Sequence, residues 1–268
     1  MTELLKKDRI AVTLDEGVAH VLLNRPEKMN ALDPAMFDAI IEAGNTVAQA
    51  KGVRAVVLSG EGPSFCAGLD TSTFGRTPDP AEPSIELRTH GNANHWQEVA
   101  MTWRKCPVPV IAAVHGVCFG GGLQIASGAD IRIVHPRSRM AIMEMKWGLV
   151  PDMGGFALWR GLVRGDVLRE LVYTNREFSG EEARELGLAT SLSDNPLKDA
   201  MTLARTIADR NPQAIRGAKR LFDVMSERST DDILMAESVE QAAVIRKPNQ
   251  VEAVMAGMAK RKPVFQDG

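Results

Sequence analysis

The chain has 268 residues, of which 44% are hydrophobic and 25% are charged, and its 34 acidic and 32 basic side chains leave a formal net charge of -2. This balance argues against bulk nucleic-acid binding, which requires a strongly basic face. The length suffices for a large domain with a sizeable core, and the composition is that of a soluble globular protein rather than a low-complexity one.

Three features of the chain predict its compartment. The first eight residues carry charges where a secretion signal needs an apolar core. The most apolar run, residues 106–123, is interrupted by prolines, a histidine and glycines, which makes it a poor membrane span. Cys66, Cys106 and Cys118 have no metal-ligand spacing and are expected to be reduced and mostly buried. We therefore expect a cytoplasmic protein with no metal site and no membrane contact.

The first half of the chain alternates between strands and helices. An apolar run at residues 19–23 ends before Pro26, which predicts a strand followed by a turn. Asp33 and Pro34 open a helix that ends near residue 52, because Asp33 can accept from the first free amides and proline costs nothing at the first helical position. Further predicted elements are a strand at 55–58, a mobile proline-rich loop at 75–84, a helix at 84–103 and a strand buried on both faces at 108–114.

The second half changes from mixed structure to helix. The predicted strands are residues 130–134, 140–143 and 189–192, and the predicted helices are 156–163, 166–173 and 180–186. Ser179 is the expected N-cap of the last of these helices, with Glu182 three residues later. From residue 196 to 260 the pattern is helical, with breaks before Pro212 and Pro248. The prediction is therefore two regions, a mixed one at 1–195 and a helical one at 196–268.

The most unusual stretch is residues 110–130. It predicts a buried strand, a glycine-rich turn and a short helix whose first turn contains Gly121, Gly122 and Gln124. Three consecutive glycines cost roughly 0.5–1 kcal/mol each relative to alanine in a helix, so they require an explanation. One explanation is a negatively charged oxygen bound by the free amides of the helix N-terminus, and the other is close packing of helix on sheet. The spacing matches neither G-x-G-x-x-G nor a P-loop.

A second glycine loop, Ala67-Gly68-Leu69, also follows a predicted buried strand. If the sheet brings the two loops together, the amides of Leu69 and Gly121 can converge on one carbonyl oxygen and stabilise an oxyanion.

Three polar residues downstream are candidates for proton chemistry. Glu144 lies among methionines, alanine and isoleucine, where desolvation would favour the neutral acid, although a glutamate at a strand end that faces water gives the same pattern. Asp152 is a candidate acid or a turn residue. Gln124 can hold a water or a substrate oxygen but cannot act as a general base, and it can equally be a buried amide that satisfies backbone groups.

Five segments, in this order along the chain, resemble the crotonase (enoyl-CoA hydratase/isomerase) superfamily. They are residues 23–32 (LNRPEKMNAL), 65–70 (FCAGLD), 113–130, 144–155 (EMKWGLVPDMGG) and 260–265 (KRKPVF). The resemblance implies an α/β fold, namely a crotonase-like spiral of strand-strand-helix turns with a helical C-terminal trimerisation region, in trimers or dimers of trimers. It also implies an acyl-CoA thioester as substrate, with no cofactor apart from the coenzyme A that the substrate carries.

The same resemblance assigns roles to individual positions. Leu69 and Gly121 match the oxyanion hole, and Glu144, Asp152 and Gln124 match catalytic positions. The positions implied in substrate binding are Arg25, Lys28, Ala67, Asp70 and Gly120.

Gln124 is where this chain departs from the hydratases it resembles, which hold the attacking water between two glutamates. Glu144 and Asp152 instead match the carboxylate pair of the dienoyl-CoA isomerase branch, but that branch also has an aspartate where Gln124 lies. The hypothesis is an enzyme that acts on an unsaturated acyl-CoA through a thioester enolate, with Glu144 as the main acid/base. The alternatives are a double-bond isomerase that uses Glu144 and Asp152, and a non-catalytic acyl-CoA- or RNA-binding protein of the same fold.

Overall fold

The computed structural model describes residues 1–73, 84–225 and 228–267. Its strands are β1 (Thr2–Lys7), β2 (Ile10–Asp15), β3 (Val18–Leu23), β4 (Ala55–Gly60), β5 (Val110–Val114), β6 (Val117–Phe119), β7 (Ile131–Val134), β8 (Arg139–Ala141), β9 (Phe178–Ser179) and β10 (Ser191–Leu192). Its helices are α1 (Pro34–Gln49), α2 (His95–Lys105), α3 (Gly121–Gly128), α4 (Gly155–Trp159), α5 (Gly165–Thr174), α6 (Gly180–Leu186), α7 (Pro196–Ala208), α8 (Pro212–Met225), α9 (Thr230–Val244) and α10 (Pro248–Met258). Short 3-10 helices occupy Pro26–Lys28, Thr71–Thr73 and Glu144–Trp147.

The strands form two sheets. The larger has the order β1-β2-β3-β4-β5-β7-β10, in which β1 to β3 are antiparallel and the pairs from β3 onwards are parallel. The smaller has the order β6-β8-β9. Because β6 follows directly on β5, the chain passes from one sheet to the other immediately before α3. The mostly parallel larger sheet and the helices between its strands confirm the predicted α/β class.

The core of the protein covers both faces of the larger sheet. On one face, the fully buried Ile40 of α1 and Trp103 of α2 belong to the same apolar cluster as the strand residues Val56 and Val110. On the other face, Ala200, Ala204 and Ala208 of α7 pack against the alternate residues of the strands. Alternation along each strand explains this division, since successive side chains point to opposite faces of a sheet.

Several helix boundaries follow from local capping signals. The Asp33 side chain accepts a hydrogen bond from the Met36 amide at 2.8 Å, which starts α1 where predicted. Ser179 accepts from the Glu182 amide at 3.1 Å at the start of α6. Both are N-caps, which satisfy amides that the first helical turn leaves free.

The prediction of a helix at residues 84–103 is wrong in its start. α2 begins at His95, because the Asn94 side chain accepts from the Gln97 amide at 2.8 Å and the Asn94 amide donates to the Gln97 side chain at 3.0 Å. This reciprocal pair is a capping box and fixes the helix N-terminus. Residues 84–94 form turns and an isolated bridge instead.

Four strands of the structure have no counterpart among the predicted strands: β1, β2, β6 and β9. β6 lies inside the stretch for which the sequence predicts a glycine-rich turn. The predicted mobile loop at 75–84 lies almost entirely outside the described residues. The division at residue 195 stays a prediction, although α7, just beyond it, packs on the sheet of the first region.

Within the described ranges, no helix is long and apolar enough to cross a membrane, and no group of three or more His, Cys, Asp or Glu side chains could hold a metal ion. The three cysteines are free and buried, as predicted. Burial raises the pKa of the Cys66 thiol to about 12, so this thiol stays protonated at neutral pH.

Candidate active site

The two glycine loops predicted to converge are in direct contact. The first loop pairs with β6, since the Cys66 amide donates to the Val117 carbonyl at 3.1 Å and the Phe119 amide donates to the Cys66 carbonyl at 3.1 Å. Gly68 has a φ of +85°. A Cβ atom on Gly68 would lie 2.8 Å from the Phe119 oxygen and 3.6 Å from the Gly121 amide nitrogen. Glycine is therefore required at this point for both its backbone conformation and the close approach of the two loops.

The amides of Leu69 and Gly121 are available to a ligand. Leu32 pairs with the residues on either side of Leu69. The Leu32 amide donates to the Gly68 carbonyl at 2.8 Å, and the Leu32 carbonyl accepts from the Asp70 amide at 3.0 Å, so the Leu69 amide points away from this pairing. Gly121 is the first residue of α3, where amides have no acceptor within the helix. Among the described residues, neither amide has a protein acceptor. Both residues line one cavity of about 260 Å³.

Glu144 lies against the same cavity. It is the first residue of the 3-10 helix Glu144–Trp147 and is only 7% exposed. Its Oε1 accepts a hydrogen bond from Gln124 Nε2 at 2.6 Å, whereas its Oε2 is buried without a partner in the described part of the chain. A Cβ atom on Gly120 would lie 3.4 Å from Oε1, so the carboxyl group touches the second glycine loop. One carboxyl oxygen is thus hydrogen-bonded, and the other has no partner among the described residues.

Burial raises the pKa of the Glu144 carboxyl, and the negative charge of Asp152 adds a smaller increase. Hydrogen bonds, including the one from Gln124, act in the opposite direction. Desolvation dominates because an ionised carboxylate loses more hydration than these bonds replace. A carboxyl group with a raised pKa is suited to both accepting and returning a proton near neutral pH.

Gln124 connects the glutamate to a turn further along the chain. Its side chain is fully buried, and its Oε1 accepts from the amides of Met153 and Gly155, both at 2.9 Å. Since both lone pairs of this oxygen are used, it is not available to orient a water. The amide group therefore positions Glu144 and satisfies backbone groups, the second of the two roles considered from the sequence.

Asp152 is half-buried, and burial raises the pKa of its carboxyl group. It is not among the described residues that line the cavity. Its negative charge contributes to the raised pKa of Glu144.

The five residues predicted to bind substrate lie in three settings. Ala67 and Gly120 line the cavity. Arg25 and Asp70 form a buried ion pair at 2.7 Å, and hydrogen bonds from Ser72 together with Arg25 lower the pKa of Asp70 to about 2. Lys28 is exposed. Their role in substrate binding stays a prediction.

The sequence did not single out most of the side chains around the cavity. Those that complete its lining are Thr71, Phe119, Arg139, Met143, Lys146, Trp147, Leu149 and Glu177. Arg139 forms a bidentate ion pair with Glu177, at 2.7 and 2.8 Å, and lies over the Phe119 ring. Lys146 and Trp147 follow Glu144 in one 3-10 helix, so their proximity to it could have been found from the sequence. Arg139 and Glu177 meet only through the pairing of β8 with β9.

Comparison with known proteins identifies relatives along nearly the whole chain. The sequence model of the enoyl-CoA hydratase/isomerase family matches residues 13–268. The peroxisomal Delta(3,5)-Delta(2,4)-dienoyl-CoA isomerase of Arabidopsis thaliana is 31% identical over 94% of this chain and 93% of its own length. The 1,2-epoxyphenylacetyl-CoA isomerase of Escherichia coli is 30% identical over 94% of this chain and 96% of its own. The crystal structure of an enoyl-CoA hydratase from Bacillus anthracis superposes with a TM-score of 0.86 at 26% identity, covering 96% and 98% of the two chains.

Proposed function

The chain belongs to the enoyl-CoA hydratase/isomerase family, and from this premise we propose that it moves a double bond in an unsaturated acyl-CoA by way of a thioester enolate. The observation that carries the proposal is Glu144, which lines the same cavity as Leu69 and Gly121 and has one carboxyl oxygen with no partner among the described residues. Proton transfer next to a stabilised enolate is the chemistry that such a site supports best.

In the proposed reaction, the thioester carbonyl oxygen accepts hydrogen bonds from the two amides. Glu144 removes a proton from the acyl chain, and the electron pair of the broken C–H bond moves towards the carbonyl, which becomes an enolate. The negative charge then lies on the oxygen between the two amides, whose N–H dipoles are already oriented towards it. Reprotonation at another carbon shifts the double bond.

A second carboxyl group supports isomerisation in particular. Moving a double bond along a conjugated chain requires a proton to leave one carbon and another to arrive at a distant one. Asp152, whose charge acts on Glu144 and whose pKa is also raised, can serve the second position. Gln124 cannot take part in this transfer, because an amide is not a base and its oxygen is held by Met153 and Gly155.

Hydration with Glu144 as the single acid/base is a second candidate. It is favoured by the absence of Asp152 from the described lining of the cavity. In this case Glu144 alone would deliver water to the double bond, and Asp152 would be a turn residue.

Ultraviolet spectra recorded with two substrates distinguish the candidates. Isomerisation of a 3,5-dienoyl-CoA should produce a new 2,4-dienoyl band, while crotonyl-CoA should keep the absorbance of its conjugated thioester. Loss of the crotonyl-CoA absorbance with no dienoyl band would favour hydration and reject the isomerase. Tight binding of both thioesters without turnover would instead support a non-catalytic binding protein.

Asp152→Asn tests the second acid. We expect the isomerisation kcat to fall by about 10²-fold, the lower end of the effect of removing a positioned acid or base. Binding of the acyl-CoA, measured by calorimetry, should change less than about threefold, because asparagine keeps the shape of the side chain. An unchanged isomerisation rate would assign Asp152 to the turn.

We also propose that the protein assembles through its C-terminal helices as a trimer or a dimer of trimers. Large apolar side chains are exposed along α8 to α10: Phe222, Met225, Leu234, Met235, Val239, Val251, Val254, Met255 and Met258. Apolar surface of this extent on successive helices is typical of a contact between subunits.

Met235→Lys is expected to shift the protein towards monomers in sedimentation velocity, because it places a charge in this apolar surface. Glu237→Lys is the matched control, since residue 237 points to a different side of α9 and should leave assembly unchanged. A wild-type chain that sediments as a monomer would refute the assembly.

A further inference from the structure

The first glycine loop is held by backbone pairing with residues 29–32. The amides of Ala67 and Asp70 donate to carbonyl groups of this segment at 2.9 and 3.0 Å. In the other direction, the Leu32 amide donates to the loop at 2.8 Å. Leu69 lies opposite Leu32 in this parallel pairing and makes none of the three bonds. The direction of the Leu69 amide is therefore set by the position of residues 29–32.

Leu32 also contacts the second donor of the oxyanion hole. Its side chain is almost fully buried, and a Cβ atom on Gly121 would lie 2.8 Å from its Cδ1 atom. One residue thus contacts both loops, through its backbone beside Leu69 and through its side chain at Gly121. A displacement of residues 29–32 would move the Leu69 amide relative to the Gly121 amide, and the two amides must converge on one oxygen.

This segment has an unusual backbone that depends on support from elsewhere in the chain. Met29 and Asn30 have φ values of +49° and +54°, in the left-handed region that residues other than glycine rarely adopt. Asn30 is fully buried, and its side chain accepts from the Arg25 amide at 2.7 Å and donates to the Ser64 carbonyl at 2.8 Å. These bonds connect the segment to Arg25 on one side and to the chain just before the first glycine loop on the other.

The Arg25 side chain joins the loop and its paired segment directly. Its Nη1 atom donates to the Ala31 carbonyl at 2.9 Å and lies 2.7 Å from Asp70 Oδ2. Its Nη2 atom lies 3.5 Å from Asp33 Oδ2, so two carboxylates compensate a side chain that is only 10% exposed. Because Asp70 directly follows Leu69, Arg25 fixes the loop against the paired segment beside the oxyanion donor.

We propose that Arg25 is a positioning residue for the oxyanion hole, which acts on the Leu69 amide through Asp70. This role rests on the proposed function, because it requires that the Leu69 amide binds the thioester oxygen. A displaced donor stabilises the developing charge less, since a hydrogen bond weakens as it lengthens and bends. Arg25 thus acts on the rate without touching the substrate, in contrast to the substrate-binding role that the sequence predicts for it.

Infrared spectra of a bound thioester measure this positioning without turnover. Butyryl-CoA, isotope-labelled at the thioester carbonyl, has no double bond to move, and its carbonyl stretch shifts to lower frequency when donors polarise the oxygen. Arg25→Lys keeps the charge but not the planar fork that reaches Ala31 and Asp70 together. We expect this variant to keep about half of the wild-type shift, as for the loss of one of two donors. Its kcat in the ultraviolet assay should fall about tenfold, and its Kd for butyryl-CoA should change less than about threefold.

Two further variants complete the test. Asp70→Asn removes the charge of the same pair while preserving the shape of the side chain. It should also reduce the shift, and it carries the test where Arg25→Lys does not fold. Arg9→Lys is the matched control, because Arg9 pairs with Asp33 at 2.8 Å and has no bond to the first glycine loop among the described residues. The control should keep the full wild-type shift.

The outcomes distinguish this proposal from the proposed function. A full shift in both Arg25→Lys and Asp70→Asn would overturn the role of Arg25 alone. Weaker butyryl-CoA binding in these variants would then assign the pair to substrate binding, and a lower melting temperature would assign it to stability. An equal loss of the shift in Arg9→Lys would also overturn this role. No shift in the wild type would overturn the oxyanion hole, and with it both the proposed reaction and the role of Arg25.

Discussion

Glu144→Gln is expected to lower kcat by about 10³-fold, within the range found when a positioned general acid or base is removed. The substitution preserves the shape of the side chain, and the new amide oxygen can still accept the hydrogen bond from Gln124. It removes the ability to take a proton from the acyl chain. Steady-state kinetics with the substrate identified by the ultraviolet assay measures the effect, and acyl-CoA affinity should be nearly unchanged.

The control for this substitution is Glu177→Gln. Glu177 also lines the cavity, but its carboxylate is bound by Arg139 in an ion pair at the surface. Its loss should change kcat by less than about tenfold, since an exposed ion pair contributes little. Wild-type activity in Glu144→Gln would exclude Glu144 as the acid/base and with it the proposed reaction.

The pH dependence of stability gives an independent readout of the Glu144 environment. Because the folded pKa of Glu144 is raised above its ordinary value of 4.5, proton binding stabilises the folded state, and this stabilisation is lost as the pH rises from about 4.5 through the folded pKa. The glutamine variant has no proton to lose at this position. Its melting temperature relative to the wild type should therefore increase with pH across this window, and a constant difference would indicate that Glu144 is well solvated.

The parts of the fold that were predicted correctly are those determined by neighbouring residues. Asp33 and Ser179 cap their helices through amides three residues away, so the signal and its consequence lie in one short segment. The start of α2 has the same kind of signal in Asn94 and Gln97, and the prediction of a helix from residue 84 did not use it. β6 has only three residues, and it is a strand because β8 and the first glycine loop pair with it.

In the candidate site too, features determined by neighbouring residues were predicted and features that depend on distant residues were not. The glycine loops and Glu144 were identified from the sequence, since their residue types are unusual for their local settings. The role of Gln124 was not decided, because its partners Met153, Gly155 and Glu144 are distant in sequence and meet it only in the folded chain. Both explanations of the glycines are supported: a Cβ atom on Gly122 would lie 2.4 Å from the Cys66 oxygen, while the Gly121 amide is free for a ligand.

Gly121→Pro is expected to lower kcat by about 10²- to 10³-fold, the effect of removing one donor from an oxyanion hole. Proline is tolerated at the first helical position, where the missing N–H has no acceptor within the helix. Its ring, however, adds bulk where glycine has none. A Cβ atom at residue 121 would lie 2.8 Å from both the Leu32 Cδ1 and the Met153 Sδ atoms.

Gly121→Ala is the control that separates the lost amide from the added bulk. It introduces the same Cβ atom but keeps the N–H group, and the atoms it meets are at the ends of flexible side chains that can move. We expect the alanine variant to lose less than about tenfold in kcat, and the proline variant to lose at least tenfold more at a similar melting temperature. Equal kcat values in the two variants would show that the Gly121 amide does not stabilise the oxyanion. In that case the glycine would be required for packing alone, and the enolate would need another donor beside Leu69.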